Sequence, residues 1–243
     1  MGLSKFFDFP KPISLVKYLI NMIAKFDKDA IILDFFSGSA TTSHSVMKLN
    51  AEDNGTRKFI MVQLPEETEI ASAAYKAGYK TICEIGKERI RRAGKKIKAE
   101  AGLTAQNLDI GFRVLKCDTS NMKEVFYKPD EVEQTLFDNY ADNIKEDRTA
   151  EDLLFQVMLE LGVTLSSSIK ETEINGCKVF NVADGFLYAC FDNNISDEVV
   201  KAIANEQPYY AVFRDSGMAN DSVMTNFDQI FATYSPSTTR KVL

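Results

Sequence analysis

An acid, two aromatics and a small–glycine–small run follow one another at Asp34-Phe35-Phe36-Ser37-Gly38-Ser39-Ala40-Thr41-Thr42. These residue types suit the holding of a polar ligand better than acid–base chemistry. Asp34 offers a carboxylate to an ammonium or hydroxyl group. Gly38, among small neighbours, lets the backbone come close to a ligand. A helix beginning near Thr41 presents first-turn N–H groups that have no intrahelical partner and that favour a polar or anionic group. A dinucleotide fingerprint asks for G-x-G-x-x-G at such a place. The turn has one glycine, so a pyrophosphate fits poorly and a ligand with an amino acid end fits better. The same residues also suit a strand-to-helix turn that binds nothing.

Positioning this stretch requires a βαβ unit. Ala30-Ile31-Ile32-Leu33 reads as a short buried parallel strand, and residues 41–49 as the helix after it. Lys58–Leu64, stopped by Pro65, reads as a second buried strand. Its end is where such folds hold a ribose, usually through an acid. Gln63 stands there, with Glu66 just beyond, and an amide bonds a hydroxyl more weakly than a carboxylate does. Ahead of the unit, Pro10 and Pro12 force an extended path. Ser14 reads as the N-cap of an amphipathic helix over 14–26. Thr81 caps a long helix over 81–100, apolar at Ile82, Ile85, Ile90 and Ile97 and weakened by Gly86 and Gly94. Gly111–Lys116 alternates as a third strand. Polar residues 123–148 form a boundary or helical linker. A second pattern then begins: a helix to Gly162, a hairpin about Asn175-Gly176, a strand over 186–191, a helix opening at Ser196, a strand over 209–213 and a helix over 222–234.

The chain has 243 residues, 45% of them hydrophobic, enough for one large domain or two small ones. No apolar run approaches the ~20 residues of a membrane helix, and Lys5 and Asp8 interrupt any leader-like apolar start. Cys83, Cys117, Cys177 and Cys190 form no C-x-x-C pair and read as reduced thiols, consistent with a cytoplasmic protein without a metal site. The single histidine, His44, reads as a structural residue of the helix after the turn. A net charge of −6 argues against a free-standing nucleic-acid binder. The charge is uneven, however. Lys87, Arg89, Arg91, Arg92, Lys95, Lys96 and Lys98 cluster in 87–98, either as a solvated helix face or as a contact for DNA phosphate or an acidic partner.

The order of these pieces carries a family resemblance. Phe9-Pro10-Lys11-Pro12 before a helix, then Asp34-Phe35-Phe36-Ser37-Gly38-Ser39, is similar to the β group of DNA amino-methyltransferases, and most of all to the Mod subunits of Type III restriction-modification systems. The similarity continues through Cys83–Ile90, Phe112–Asp118, Val212–Ser216 and Thr225–Phe231. It implies a partial Rossmann-like, S-adenosylmethionine-dependent methyltransferase fold over 1–122, a connection over 123–149, and a small α+β C-terminal domain over 150–243 that serves assembly.

The resemblance also implies roles. Asp34, Phe36, Gly38 and Ser39 surround the methionine end of S-adenosylmethionine, with Phe9 and Lys11 nearby. Thr41 and Thr42 sit at the helix start beside the cofactor, and Gln63 faces the ribose. The family's D-P-P-Y motif, which holds the target adenine and stacks on the flipped base, has no counterpart: Glu206-Gln207-Pro208-Tyr209 and Tyr234-Ser235-Pro236-Ser237 lack the paired prolines. The expectation is therefore the C-terminal, cofactor-binding part of an adenine-specific DNA methyltransferase, with no catalytic residue of its own and inactive alone. Its implied partners are DNA, a Res restriction subunit and a second copy. A non-catalytic assembly module and a small-molecule methyltransferase are the alternatives.

Overall fold

The computed structural model describes residues 6–7, 10–102, 108–123 and 143–243. They divide into two compact units, Met1–Leu115 and Lys116–Leu243. Both are α/β.

In the first unit, helix α1 (Ile13–Ala24) begins at Pro12, whose ψ of 133° keeps it outside the helix, so Ser14 lies one residue inside rather than at the cap. Proline holds the helical φ in advance and needs no N–H partner there. Strand β1 (Ile31–Asp34), helix α2 (Thr41–Asp53) and strand β2 (Lys58–Met61) form the expected βαβ unit, with β1 and β2 parallel and Ile32 opposite Phe59. The chain leaves the ladder earlier than the apolar run suggests. A short helix α3 (Ala73–Lys76) follows, then α4 (Ile82–Ala101), where Glu84 closes the expected cap by accepting from the backbone N–H of Thr81 at 3.2 Å.

Side-chain alternation on the two strands sends Ile32 and Phe59 to one face, where Ile20 of α1 and Val46 and Leu49 of α2 cover them. Helix α4 packs Ile90, Ala93 and Ile97 against Met47 on the neighbouring side of α2. The opposite sheet face is apolar and open: Ile31, Leu33 and Ile60 are 65%, 57% and 50% exposed. Parallel strands are ordinarily buried on both faces. Residues 111–116 do not pair as a strand. Ile110 and Phe112 lie against α4 instead, and among the described residues no neighbouring strand supplies a ladder.

The second unit is a five-stranded mixed sheet in the order β3 (Ile169–Ile174), β4 (Cys177–Val182), β5 (Leu187–Cys190), β6 (Tyr210–Phe213), β7 (Thr239–Val242). The hairpin turns on Asn175 and Gly176, both left-handed, which matches the twist of its flanking strands. β5, β6 and β7 are parallel, joined through α6 (Asp197–Asn205) and α7 (Asp221–Tyr234). These two helices cover one face, where Phe213 meets Phe227 and Phe231 edge-on. Helix α5 (Ala150–Glu160) covers the other with Leu153, Leu154, Val157 and Met158. β7 escapes a sequence pattern because Thr239-Arg240-Lys241-Val242 is an exposed edge strand with nothing to alternate against. Most of the expected linker, 124–142, lies outside the described residues.

Candidate functional site: the β1–α2 turn

Residues 35–40 carry the chain from the end of β1 to the start of α2. Two of them, Gly38 (φ +49°) and Ala40 (φ +58°), are left-handed. For alanine this conformation costs about 1 kcal/mol, and the surroundings enforce it. The Ala40 methyl is buried in the cluster of Met47, Ile90 and Ala93. Its N–H donates to the Ser37 carbonyl at 2.7 Å.

The turn is tied on four sides. The Ser37 N–H donates to the Val62 carbonyl at 3.1 Å, and the Gly38 N–H donates to Gln63 Oε1 at 2.7 Å. From α4, Arg89 Nη1 donates to Ser39 Oγ at 2.6 Å and to the Ser39 carbonyl at 3.4 Å. Gly86 of the same helix lies so close that an added Cβ would stand 3.4 Å from the Gly38 carbonyl oxygen. Asp34 anchors the fourth side: Oδ2 accepts from Thr42 Oγ1 at 2.6 Å and Oδ1 from the Phe36 N–H at 3.2 Å. Each carboxylate oxygen keeps a lone pair for a further donor.

Six expected residues thus converge: Asp34, Gly38, Ser39, Thr41, Thr42 and Gln63. Ser39 Oγ and Thr41 Oγ1 stand 3.4 Å apart. Phe36 projects from the turn at 80% exposure, its ring 5.1 Å from that of Phe35. Lys11 is exposed, and among the described residues nothing bonds it to the turn. Phe9 lies outside the described residues. The residue that does reach the turn from the N-terminal segment is Phe7, whose Cζ would be 3.3 Å from a Cβ on Gly38. Sequence marks Gly86 only as a weak point of the helix and Arg89 only as one of the basic run, and it does not link either of them, or Phe7, to the turn. Only the helical spacing of Gly86 and Arg89, three apart on one side of α4, could have pointed to them.

The site's charges are set by burial. Desolvation pushes the half-buried Arg89 guanidinium below its ordinary pKa. His44 is buried in α2, and its pKa falls to about 4, first through desolvation and then through the nearby Arg89 and Lys48. It is neutral at pH 7, and its Nδ1 has no partner among the described residues. The arrangement therefore holds no acid–base pair. It is a backbone cradle in which the Asp34 carboxylate is tied to Thr42 in the first turn of α2, suited to a ligand that brings an ammonium to the carboxylate and a polar or anionic group to the first-turn N–H groups. Among the described residues no group of three metal-ligating side chains occurs, and no helix is long and apolar enough to cross a membrane.

The turn lies within the part of the chain that matches known proteins. Residues 3–95 match a family model described as DNA methylase. The chain is 35% identical over 195 residues, 79% of its length, to the Type III restriction-modification enzyme EcoP15I Mod subunit of Escherichia coli. It is 32% identical over 200 residues, 82% of its length, to the EcoPI Mod subunit of Escherichia phage P1. A shorter match, 48% identical over 107 residues and 44% of the chain, is to the StyLTI Mod subunit of Salmonella typhimurium. These alignments span 27%, 29% and 16% of the relatives' own lengths. In sequence the chain is thus a Type III Mod-like methyltransferase fragment.

Proposed function

We propose that the chain is the cofactor-binding and C-terminal part of an adenine-specific DNA methyltransferase of the Type III Mod kind. The observation that carries this reading is the turn itself. Asp34, the Gln63-anchored Gly38 and the start of α2 form one bonded cradle within the segment that matches the DNA methylase family. The residues fit S-adenosylmethionine. Asp34 has acceptor capacity for its ammonium, the first-turn N–H groups of α2 suit its carboxylate, and Phe36 offers an apolar face beside them. Gln63 Nε2 donates to the Leu64 carbonyl at 3.2 Å, and its remaining hydrogen and lone pair suit a ribose hydroxyl.

When bound, S-adenosylmethionine supplies an electrophilic methyl group. The chain's own residues bind and orient it. In-line displacement at a methyl depends on placement more than on proton transfer, which accords with a turn lacking an acid–base pair. Catalytic contacts to adenine belong, in this reading, to a part of the intact subunit outside these 243 residues, and the chain alone does not methylate DNA. DNA recognition and Res binding are likewise properties proposed for the intact assembly.

The open apolar face of β1 and β2 supports the same reading. Two parallel strands with one bare face make a stable layer only as part of a wider Rossmann-like sheet. It equally supports a second reading, in which the chain serves assembly, pairing with another copy through its uncovered strands. Calorimetric titration of S-adenosylhomocysteine into the purified chain, beside Asp34→Ala, tests the first. Micromolar binding that weakens at least tenfold in the variant, with unchanged circular dichroism, supports it. Equal binding by both proteins removes Asp34 from the site, and no heat from either leaves assembly as the better reading.

A further inference from the structure

We propose that the outer face of α4 is a contact surface for the phosphate backbone of duplex DNA. The inference rests on the reading of the chain as part of a DNA-modifying enzyme. It concerns residues that the cofactor site does not use.

Helix α4 buries Ile85, Gly86, Ile90, Ala93, Gly94 and Ile97. Its opposite side presents Lys87, Arg91, Lys95 and Lys98, at i, i+4, i+8 and i+11. Two acids share that side, and both are engaged. Glu84 accepts from the backbone N–H groups of Lys80 and Thr81 as the helix cap. Glu88 is taken by Arg92, whose Nε lies 2.7 Å from Oε1, and meets Arg91 only at 3.9 Å. Lys96 has its own partner in Glu100. Among the described residues no carboxylate pairs with Lys87, Lys95 or Lys98. The face is strongly cationic in a chain whose net charge is −6.

Within the fold Arg91 gains a contact, its guanidinium lying over the Phe112 ring at 5.6 Å, but the row of like charges as such brings none. Like charges four residues apart weaken a helix, and the row Lys87–Arg91–Lys95 makes two such pairs. A polyanion reverses the sign of that repulsion. The row from Lys87 to Lys98 extends about 16 Å along the helix, and a duplex carries one charge per about 1.7 Å of its axis. The chemistry favours nucleic acid over an acidic protein. Protein interfaces centre on aromatic and apolar side chains and are poor in lysine, and the outer row of α4 has no large apolar residue. Phosphate contacts need only the cations. Helix α4 is also fixed to the turn through Arg89 and Gly86, so a duplex lying along it is held in register with the cofactor cradle.

The test is fluorescence anisotropy of a labelled 20-base-pair duplex titrated with the full 243-residue chain, between about 50 and 200 mM salt. The parent is compared with Lys87→Gln/Lys95→Gln/Lys98→Gln. Lys95 and Lys98 are exposed and Lys87 is half-buried, and the melting curve by circular dichroism confirms that the variant folds. We expect affinity at the lowest salt to fall at least tenfold, and the slope of log K against log salt to become shallower by about 2.7, the counterion release of three phosphate contacts. Identical affinity and slope for parent and variant would overturn the proposal, as would a parent that ignores duplex DNA or binds polyglutamate equally well. Titration of S-adenosylhomocysteine into the same variant separates the two readings. The lysine change leaves that binding intact if the cofactor site is real, and a chain that binds duplex through α4 without binding the cofactor refutes the site alone.

Discussion

Gln63 Oε1 accepts the backbone N–H of Gly38 at 2.7 Å, so the end of β2 fixes the conformation of the turn that leaves β1. One amide thus serves two strands' ends, and its loss is felt first in the turn. Gln63→Leu strands the Gly38 N–H, which costs about 1–2 kcal/mol. Gln63→Glu keeps an acceptor and strengthens the bond by adding charge. Chemical unfolding should place the leucine variant clearly below the parent and the glutamate variant at or above it at pH 7. If the leucine variant matched the parent, the turn would be held by its other ties alone.

Two glycines of α4 should respond to alanine with opposite signs. A Cβ at Gly86 would stand 3.4 Å from the Gly38 carbonyl oxygen and 3.6 Å from Ala40 Cβ, which are ordinary contacts. Gly86→Ala therefore gains helix propensity and stabilises by up to about 1 kcal/mol. A Cβ at Gly94 would stand 2.9 Å from Ile110 Cβ, an atom that cannot swing away because it sits on the backbone. Gly94→Ala should cost about 1–3 kcal/mol through overpacking. Thermal melts of the two variants side by side decide the point.

The turn was legible in sequence because its chemistry is local. An acid at a strand end, a glycine and a helix start occupy nine consecutive residues. The hairpin at Asn175-Gly176 was legible for the same reason, since both residues are left-handed in the structure. The contacts of Arg89 and Phe7 with the turn were not legible, because they reach it across about fifty and thirty residues of chain respectively and the basic run around Arg89 reads as an outward face. The third strand at 111–116 failed for a related reason. Alternation records which side chains are covered, and Ile110 and Phe112 are covered by α4 rather than by a sheet neighbour. The open face of β1 and β2 could not be read either, because an apolar strand looks the same whether its second face is covered or bare.

The only histidine gives the chain a pH dependence that one substitution can isolate. His44 takes up a proton near pH 6.5 when exposed, but only at about 4 in the fold, where burial and Arg89 oppose the charge. Between these values the unfolded chain binds more protons, so stability falls as pH drops from 6.5 toward 4. Carboxylates such as Asp53 and Asp152, held below their ordinary range by Arg57 and by Thr149 respectively, contribute at the acidic end of the range instead. Urea midpoints measured from pH 7 to pH 5 should decline for the parent and stay level for His44→Leu. A parallel decline in both would assign the dependence to another group.

Arg57 should tolerate no replacement, even by lysine. It is 3% exposed, and its two terminal nitrogens bind Asp53 Oδ1 and Oδ2 at 3.0 and 2.9 Å. Nη2 also donates to the carbonyls of Ala24 and Lys25 at 3.2 and 3.3 Å. One planar fork thereby caps the end of α1, pairs the last residue of α2 and sits at the entrance to β2, fixing the three elements that aim the turn. An ammonium offers a point charge in place of the fork, so Arg57→Lys leaves carbonyls unpaired and the Asp53 carboxylate half-satisfied. The expected loss is about 2–4 kcal/mol. The Asp53 contribution is present above its ordinary pKa of 3.8 and is lost as pH falls below that. The gap between parent and variant should therefore be widest near neutrality and narrow below about pH 4. Urea denaturation of both proteins at pH 7 and at pH 3.5 measures it. A constant gap would mean that the carbonyl bonds, and not the ion pair, carry the effect.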